Sequence, residues 1–351
     1  MKQSLYVHIP FCASKCPYCD FYSLPCGPQV ASLCSLQVSY IDRCIALLPN
    51  KQFKTAYIGG GTPSVLHPNL LTKLLAAIDC TGEFTIECNA SSVTHDFARA
   101  IAQGGVNRVS MGLQSAVPGE RKSLGRAGGL EQVEHAIALL GIENLSLDVM
   151  LGIPGQNMQS LQKTLEFCEQ AGAQHVSAYL LKIEPGTPFA ANPPENLPCE
   201  DTQAELYLAA CEWFERHGFA QYEISNFARP GYESQHNLNY WRCGEYHAVG
   251  PGAHGFTQGR RWHYERDLNA FLQSAQRSDG APPQVEDGPG GDADERAMLA
   301  LRLVEGIQSP SARLCKRAAG LDKYVILDDK GLRLTREGFL LSNEIIGRLL
   351  A

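Results

Sequence analysis

Long apolar runs, an excess of basic charge and a disulfide-like cysteine pattern are all missing from this 351-residue sequence. No stretch approaches the roughly 18 apolar residues of a membrane-spanning helix. No leader-type apolar segment stands ahead of the first short strand, Leu5 to Ile9. The formal net charge of -7 offers neither nucleic acid nor an anionic membrane the basic surface that either needs. Of the thirteen cysteines, Cys26, Cys34, Cys44, Cys80, Cys88, Cys168, Cys199, Cys211, Cys243 and Cys315 share no spacing. Most of them read as small buried hydrophobes of a reduced protein, and a cytoplasmic location is the expectation. Length predicts about two domains, and 44% hydrophobic residues suffice for a large core.

The other three cysteines are patterned. Cys12, Cys16 and Cys19 lie in Tyr6-Val7-His8-Ile9-Pro10-Phe11-Cys12-Ala13-Ser14-Lys15-Cys16-Pro17-Tyr18-Cys19-Asp20-Phe21, on a loop after the first strand. Three thiolates on one loop suit a [4Fe–4S] cluster with one iron left open to chelate a small molecule through amino and carboxylate groups. A structural zinc is the competing reading. It wants four closed ligands, and the nearest further donor, His8, sits in the preceding strand.

Helical spacing of Val30, Leu33, Val38, Ile41, Ile45 and Leu48 predicts a helix over about 29–48, followed by a strand at Thr55 to Ile58. Strands then follow at Glu83 to Cys88, Asn107 to Gly112, Leu145 to Leu151 and His175 to Leu181, separated by helical patterns such as Leu70 to Ile78 and Leu161 to Cys168. Six βα units predict a parallel sheet with right-handed crossovers. Six units instead of eight suggest an α/β fold built on an incomplete (β/α)6 barrel. Sites in such folds gather at the carboxyl ends of the strands, where Gly59-Gly60-Gly61-Thr62-Pro63, Glu87, Gln114 and Asp148 all fall. The glycines suit either close approach of backbone to a ligand, through N–H and C=O groups, or a tight turn. By themselves Glu87, Asp148 and Arg126 read first as ordinary charged positions.

From Asp201 to Gly255 the character changes. A helix with Leu206, Tyr207, Ala210, Trp213 and Phe214 leads to Tyr222-Glu223-Ile224-Ser225-Asn226-Phe227-Ala228, His236-Asn237-Leu238-Asn239-Tyr240-Trp241 and Gly250-Pro251-Gly252-Ala253-His254-Gly255. Imidazoles beside aromatics and glycines suggest a cavity for a large planar ligand. For His236, an axial haem ligand and a hydrogen-bonded core residue stand level, whereas His254 reads first as a core histidine. The domain reading is a partial barrel over 1–220, an extension over 221–273, a Gly/Pro/Asp/Ser-rich flexible linker over 274–293, and a C-terminal module over 294–351. That module, two helices, a hairpin turning at Asp329-Lys330-Gly331 and one last helix from Arg336 to Leu350, is small, α+β and winged-helix-like. Its hairpin is acidic, so packing or partner docking is favoured over DNA binding.

Taken with Tyr57-Ile58-Gly59-Gly60-Gly61-Thr62-Pro63-Ser64, the run Gly105 to Gln114, Leu124-Gly125-Arg126, Gly152-Ile153-Pro154-Gly155-Gln156 after Asp148, Ile183-Glu184-Pro185-Gly186-Thr187 and Pro230-Gly231-Tyr232, these motifs resemble the radical S-adenosylmethionine (SAM) family related to oxygen-independent coproporphyrinogen III oxidase, along nearly the whole chain. The resemblance is to its haem-chaperone branch. It implies cluster ligation by Cys12, Cys16 and Cys19, with Tyr6 and Tyr18 against SAM and Gly60, Gly61 and Thr62 at its methionine end. It further implies that Glu87, Gln114, Arg126 and Asp148 complete the SAM pocket, that His236 binds haem, and that acceptor haemoproteins, respiratory ones at a membrane among them, are the partners. The oxidase branch has a further cysteine two residues after the third and a long N-terminal segment. Here Phe21 holds that position and five residues precede Tyr6. Gly128 stands where relatives commonly have histidine. The alternatives are coproporphyrinogen III decarboxylation and a radical-SAM reaction on another substrate.

Overall fold

A computed structural model describes residues 3–27, 30–126, 128–276 and 284–351. Six strands, Ser4–Ile9 (β1), Gln52–Gly60 (β2), Asp79–Cys88 (β3), Arg108–Gln114 (β4), Leu145–Leu151 (β5) and His175–Leu180 (β6), are neighbours in that order and all parallel. Between them run the helices Val30–Leu47 (α1), Pro68–Ala76 (α2), His95–Gln103 (α3), Leu130–Leu140 (α4) and Met158–Gln170 (α5). Local chemistry starts several of these. Pro68 opens α2 where its missing N–H costs nothing; Thr94 accepts from Phe97 N at 3.1 Å to cap α3; Asn157 and Ser160 form a reciprocal capping box at α5.

The two-residue period of the strands divides apolar from polar. Leu5, Val7 and Ile9, Ala56 and Ile58, Phe84 and Ile86, Val109 and Met111, Leu147 and Val149, and Val176 and Ala178 join one buried apolar core. The alternate positions carry Tyr6 and His8, Tyr57, Glu87, Arg108 and Ser110, Asp148, and Ser177 and Tyr179. They give the barrel a polar interior.

The barrel is open, because the outer neighbours of β1 and β6 are other strands. Beyond the helix Glu200–Arg216 (α6), Ala220–Gln221 (β7) and Asn226–Ala228 (β8) extend the β6 edge, antiparallel. Tyr246–Val249 (β9) joins β1 in parallel, and His254–Thr257 (β10), Arg260–His263 (β11) and Val285–Pro289 (β12) follow antiparallel. The result is a single twelve-stranded sheet. Residues 285–289, expected to belong to a flexible linker, are thus its edge strand. Their pairing with β11 supplies a backbone ladder that Gly/Pro-rich composition does not reveal; 277–283 lie outside the described residues.

The helix Gln235–Trp241 (α7) approaches the first halves of β2 and β3. One carboxylate receives its start: Glu83 accepts from Ser234 Oγ at 3.2 Å, Gln235 N at 2.8 Å and His236 N at 2.9 Å. The C-terminal module contains helices Ala293–Ala300 and Ala312–Ala318 and the hairpin Val325–Asp328 with Gly331–Leu334. The single last helix expected there is two, Arg336–Leu340 and Ser342–Leu350, because the backbone leaves helical geometry at Leu341 (φ -106°, ψ 22°). Another expectation also needs correction. α1 is long and apolar enough, by length and composition, to cross a membrane. Its Cys34, Val38, Ile41, Cys44 and Ile45 are nevertheless buried in the core, as in the core helix of a globular protein.

Glu83→Ala removes three hydrogen bonds at the start of α7. It is expected to lower stability by about 2 kcal/mol in urea unfolding, combining a lost cap with newly unpaired donors.

Candidate functional site

The carboxyl ends of the strands surround a cavity of about 590 Å³, rimmed by Cys12, Cys16 and Cys19. The loop is pinned at both ends: Phe11–Cys12 pairs with Leu24–Pro25, and Thr62 N donates to Phe11 O at 2.7 Å. Within it, Cys19 N donates to Cys16 O at 3.1 Å, and Thr62 Oγ1 donates to Cys12 Sγ at 3.5 Å. Burial pushes the Cys19 thiol up. A tetrahedral zinc holds its thiolates about 3.8 Å apart, given Zn–S bonds of about 2.3 Å. Among the described residues the group of three metal-type donors gathered within 4.8 Å lies elsewhere, at His254, His263 and Asp287. His8 is spent as well, with Nδ1 on Tyr6 OH and Nε2 on Tyr22 O, each at 2.9 Å. Three open thiols at a roomy cavity fit a larger inorganic group with an unligated corner better than they fit zinc.

Tyr18, Gly60, Gly61, Thr62, Glu87, Gln114, Arg126 and Asp148 line the same cavity. The glycines bring two backbone segments of the protein close together. Gly60 N donates to Glu87 Oε2 at 3.1 Å, Gly61 N to Ile9 O at 2.8 Å and Thr62 N to Phe11 O. Their N–H groups are consumed internally, and so is the Thr62 carbonyl, which accepts from Val65 N at 3.0 Å. Side chains are excluded by the protein itself: a Cβ at Gly60 (φ +114°) would meet the His8 ring at 2.6 Å, and one at Gly61 would meet Phe11 O at 2.6 Å.

Arg126 donates from Nε (3.2 Å) and Nη2 (3.0 Å) to Tyr18 OH, which sets the Tyr18 ring beside the cysteines. Gln114 ends β4 with φ 68°, a left-handed conformation costing roughly 1–2 kcal/mol, and accepts from Tyr179 OH at 3.2 Å. Gly128, also left-handed (φ +84°), has its carbonyl on Arg121 Nε at 3.3 Å, and a side chain there would collide with Gln132.

Glu87 accepts from Tyr57 OH at 2.8 Å and from Gly60 N. Its burial, reinforced by the charge of Asp148, raises its carboxyl from 4.5 to about 7 despite those bonds. Asp148 is raised by burial too, against a 3.1 Å hydrogen bond from Ser110 Oγ. On β4, the strand between theirs, Arg108 stands opposite Thr85. It is 2% exposed, lines the cavity and has a buried Nε with no hydrogen-bond partner. Its signal was available: a basic residue at an inward position of a strand whose outward positions are apolar.

Two predicted site residues do not line this cavity. Tyr6 lies beside Tyr57 with its hydroxyl on His8. His236 is fully buried, its Nδ1 2.8 Å from Thr55 Oγ1 and its Nε2 2.7 Å from Tyr240 OH, and burial holds its ring down at about 3. Conversely His254, read as a core histidine, is exposed on β10.

An open parallel barrel with a polar interior and a CxxxCxxC loop over its carboxyl mouth is a radical-SAM architecture. The Radical SAM superfamily description matches residues 6–168. Coproporphyrinogen III oxidase (HemN) from Escherichia coli superposes with a TM-score of 0.83 over 100% of this chain and 91% of that one, at 19% identity, which speaks for the fold. Curated relatives are closer in sequence. "Heme chaperone HemW" of Bacillus subtilis is 33% identical over 99% of both chains, and that of Escherichia coli 35% identical over 81% of this chain and 84% of its own. The chain belongs to the HemW family of heme chaperones within the radical SAM superfamily.

Because the folded-state carboxyl of Glu87 titrates near 7, above its ordinary 4.5, its ionisation opposes folding. The stability it permits is fully present below about pH 4.5 and is lost as pH rises toward 7, by up to about 3 kcal/mol. Urea unfolding of Glu87→Gln across this window is expected to be flatter with pH than wild type by that amount.

Proposed function

We propose that this protein is a haem chaperone that carries one [4Fe–4S] cluster on Cys12, Cys16 and Cys19, binds an exchangeable SAM at the same cavity, and hands haem to acceptor haemoproteins in the cytoplasm, respiratory ones at a membrane among them. The observation that carries the reading is similarity to heme chaperones along the full chain, joined to three cysteines rimming one cavity. When bound, a cluster with one iron free of protein ligands supplies a chelating site for SAM and a one-electron source. The chain's own residues orient what binds there. Carbonyls of Gly60 and Gly61 accept from an ammonium group, and the Tyr18–Arg126 pair offers a fixed ring face. The carboxyls of Asp148 and Glu87, the latter titrating near 7, favour a cationic ligand, with Gln114 held in place by Tyr179. Phe21, 68% exposed beside the loop, stands where the oxidase branch has its extra cysteine, which supports a chaperone over a decarboxylase. Haem ligation falls to α7 in this reading: His236 meets iron only after giving up its bond to Tyr240 and its burial.

Cys16→Ala is expected to abolish the [4Fe–4S] absorption and EPR signals after anaerobic reconstitution; a full cluster in that variant refutes the ligand set. Anaerobic haem titration of reconstituted protein is expected to saturate in wild type and to fail in His236→Ala at equal cluster content. Tyr240→Phe, which frees Nε2 while keeping the ring, should bind haem at least as tightly as wild type. Equal weak binding in wild type and His236→Ala removes haem from His236, and conversion of coproporphyrinogen III to protoporphyrinogen IX by the reduced protein replaces the chaperone reading with the oxidase.

A further inference from the structure

The Gly250-to-Gly255 motif takes no part in the cysteine-rimmed cavity, yet it ends on an exposed imidazole. We propose that His254, His263 and Asp287 form a surface site for a divalent transition-metal ion of the zinc class, separate from the cysteines. The proposal goes beyond the haem-chaperone reading and does not depend on it.

Strand pairing builds the site. His254 and His263 are direct cross-strand partners on β10 and β11, so their side chains share one face, and their rings stack with centroids 5.1 Å apart at 25°. On the other side of β11, the register with β12 slips between Arg261–Gly288 and Trp262–Glu286, leaving Asp287 as the extra residue of a bulge. Bulges commonly re-aim a side chain. Here Asp287 Oδ1 lies 2.8 Å from His263 Nδ1.

One donor atom from each residue falls within 4.8 Å of the others. Ligands on one zinc-class ion sit about 3.3 Å apart, from bonds of about 2.0–2.1 Å, so the trio closes by side-chain rotation alone, and its half-open surface position permits that. Two imidazoles and a carboxylate are a borderline N/O set that suits zinc, cobalt(II) or nickel(II) over calcium or magnesium. The carboxylate serves either as the third ligand or as the acceptor that fixes the His263 tautomer and turns its Nε2 outward. Partial desolvation and the neighbouring His263 lower the basicity of His254, which favours the neutral ring that a metal ion binds. The opposing charge nearby, Arg266, is 3.8 Å from Asp20 and so partly offset. None of the three residues lines the cysteine-rimmed cavity, so occupation of one site leaves the other free.

The test uses full-length protein with its cluster reconstituted, so that the three loop cysteines are already engaged. Zinc(II) is added anaerobically by equilibrium dialysis, and zinc and iron are measured together in wild type, His254→Gln, His263→Gln and the double variant. The expected result is one zinc per chain in wild type beyond any bound by the double variant, with affinity at least about tenfold weaker in each single variant, at unchanged iron content and far-UV circular dichroism. Absence of saturable zinc binding in wild type, or retention of wild-type zinc by the double variant, overturns the proposal.

Discussion

The parallel ladder between β1 and β2 is the constraint on which the site rests. Its register runs from Ser4 opposite Thr55 to Ile9 opposite Gly60, and it continues past the strand ends as Gly61 N to Ile9 O and Thr62 N to Phe11 O. Those last two bonds lay the Gly60 to Thr62 segment along the root of the cysteine loop with no room for side chains between them. The approach of the two backbones follows from glycine. A one-residue slip of β1 would turn Tyr6 outward and put Val7 inside the barrel. The alternation of apolar and polar positions on both strands forbids it.

Inside the barrel the energetic problem is charge in a confined space. Glu87, Asp148, Arg108 and Arg126 line one cavity, and the two carboxylates both resist ionisation because burial outweighs their hydrogen bonds. An interior that leaves a carboxyl half-titrated and an arginine Nε unpaired is costly in an empty protein. It becomes favourable when a charged ligand completes the pairing. The chamber is thus better matched to a bound zwitterion or cation than to water. The same logic explains why α7 is tied to Glu83 by three hydrogen bonds: a helix start placed near such an interior needs a carboxylate to take its free N–H groups.

Much of the arrangement is legible in residue order. The six strands, the cysteine loop, the glycine run and the strand-end carboxylates follow from two-residue and 3.6-residue periods and from short motifs, all of which are local. What escaped was non-local or compensated. The strand at Val285–Pro289 is rich in the residues of a linker and exists through its partner β11. The break at Leu341 interrupts a pattern that reads as one helix. Arg108 looks like one charge among many until the sheet turns it inward.

The sequence by itself determined the open α/β barrel and which three thiols share a loop, because both depend on spacing along the chain, and its motifs carried the resemblance to the family. The tertiary structure alone decided the surroundings of the histidines. His236 and His254 each stand among aromatics or glycines, and nothing in their neighbours along the chain separates them. Burial and hydrogen-bond partners do: Thr55 and Tyr240 consume both nitrogens of His236 in the interior, while the β10–β11–β12 pairing leaves His254 at the surface beside His263 and Asp287. Whether an imidazole is a core group or a ligand depends on which atoms compete for its lone pair, and those atoms come from distant parts of the chain.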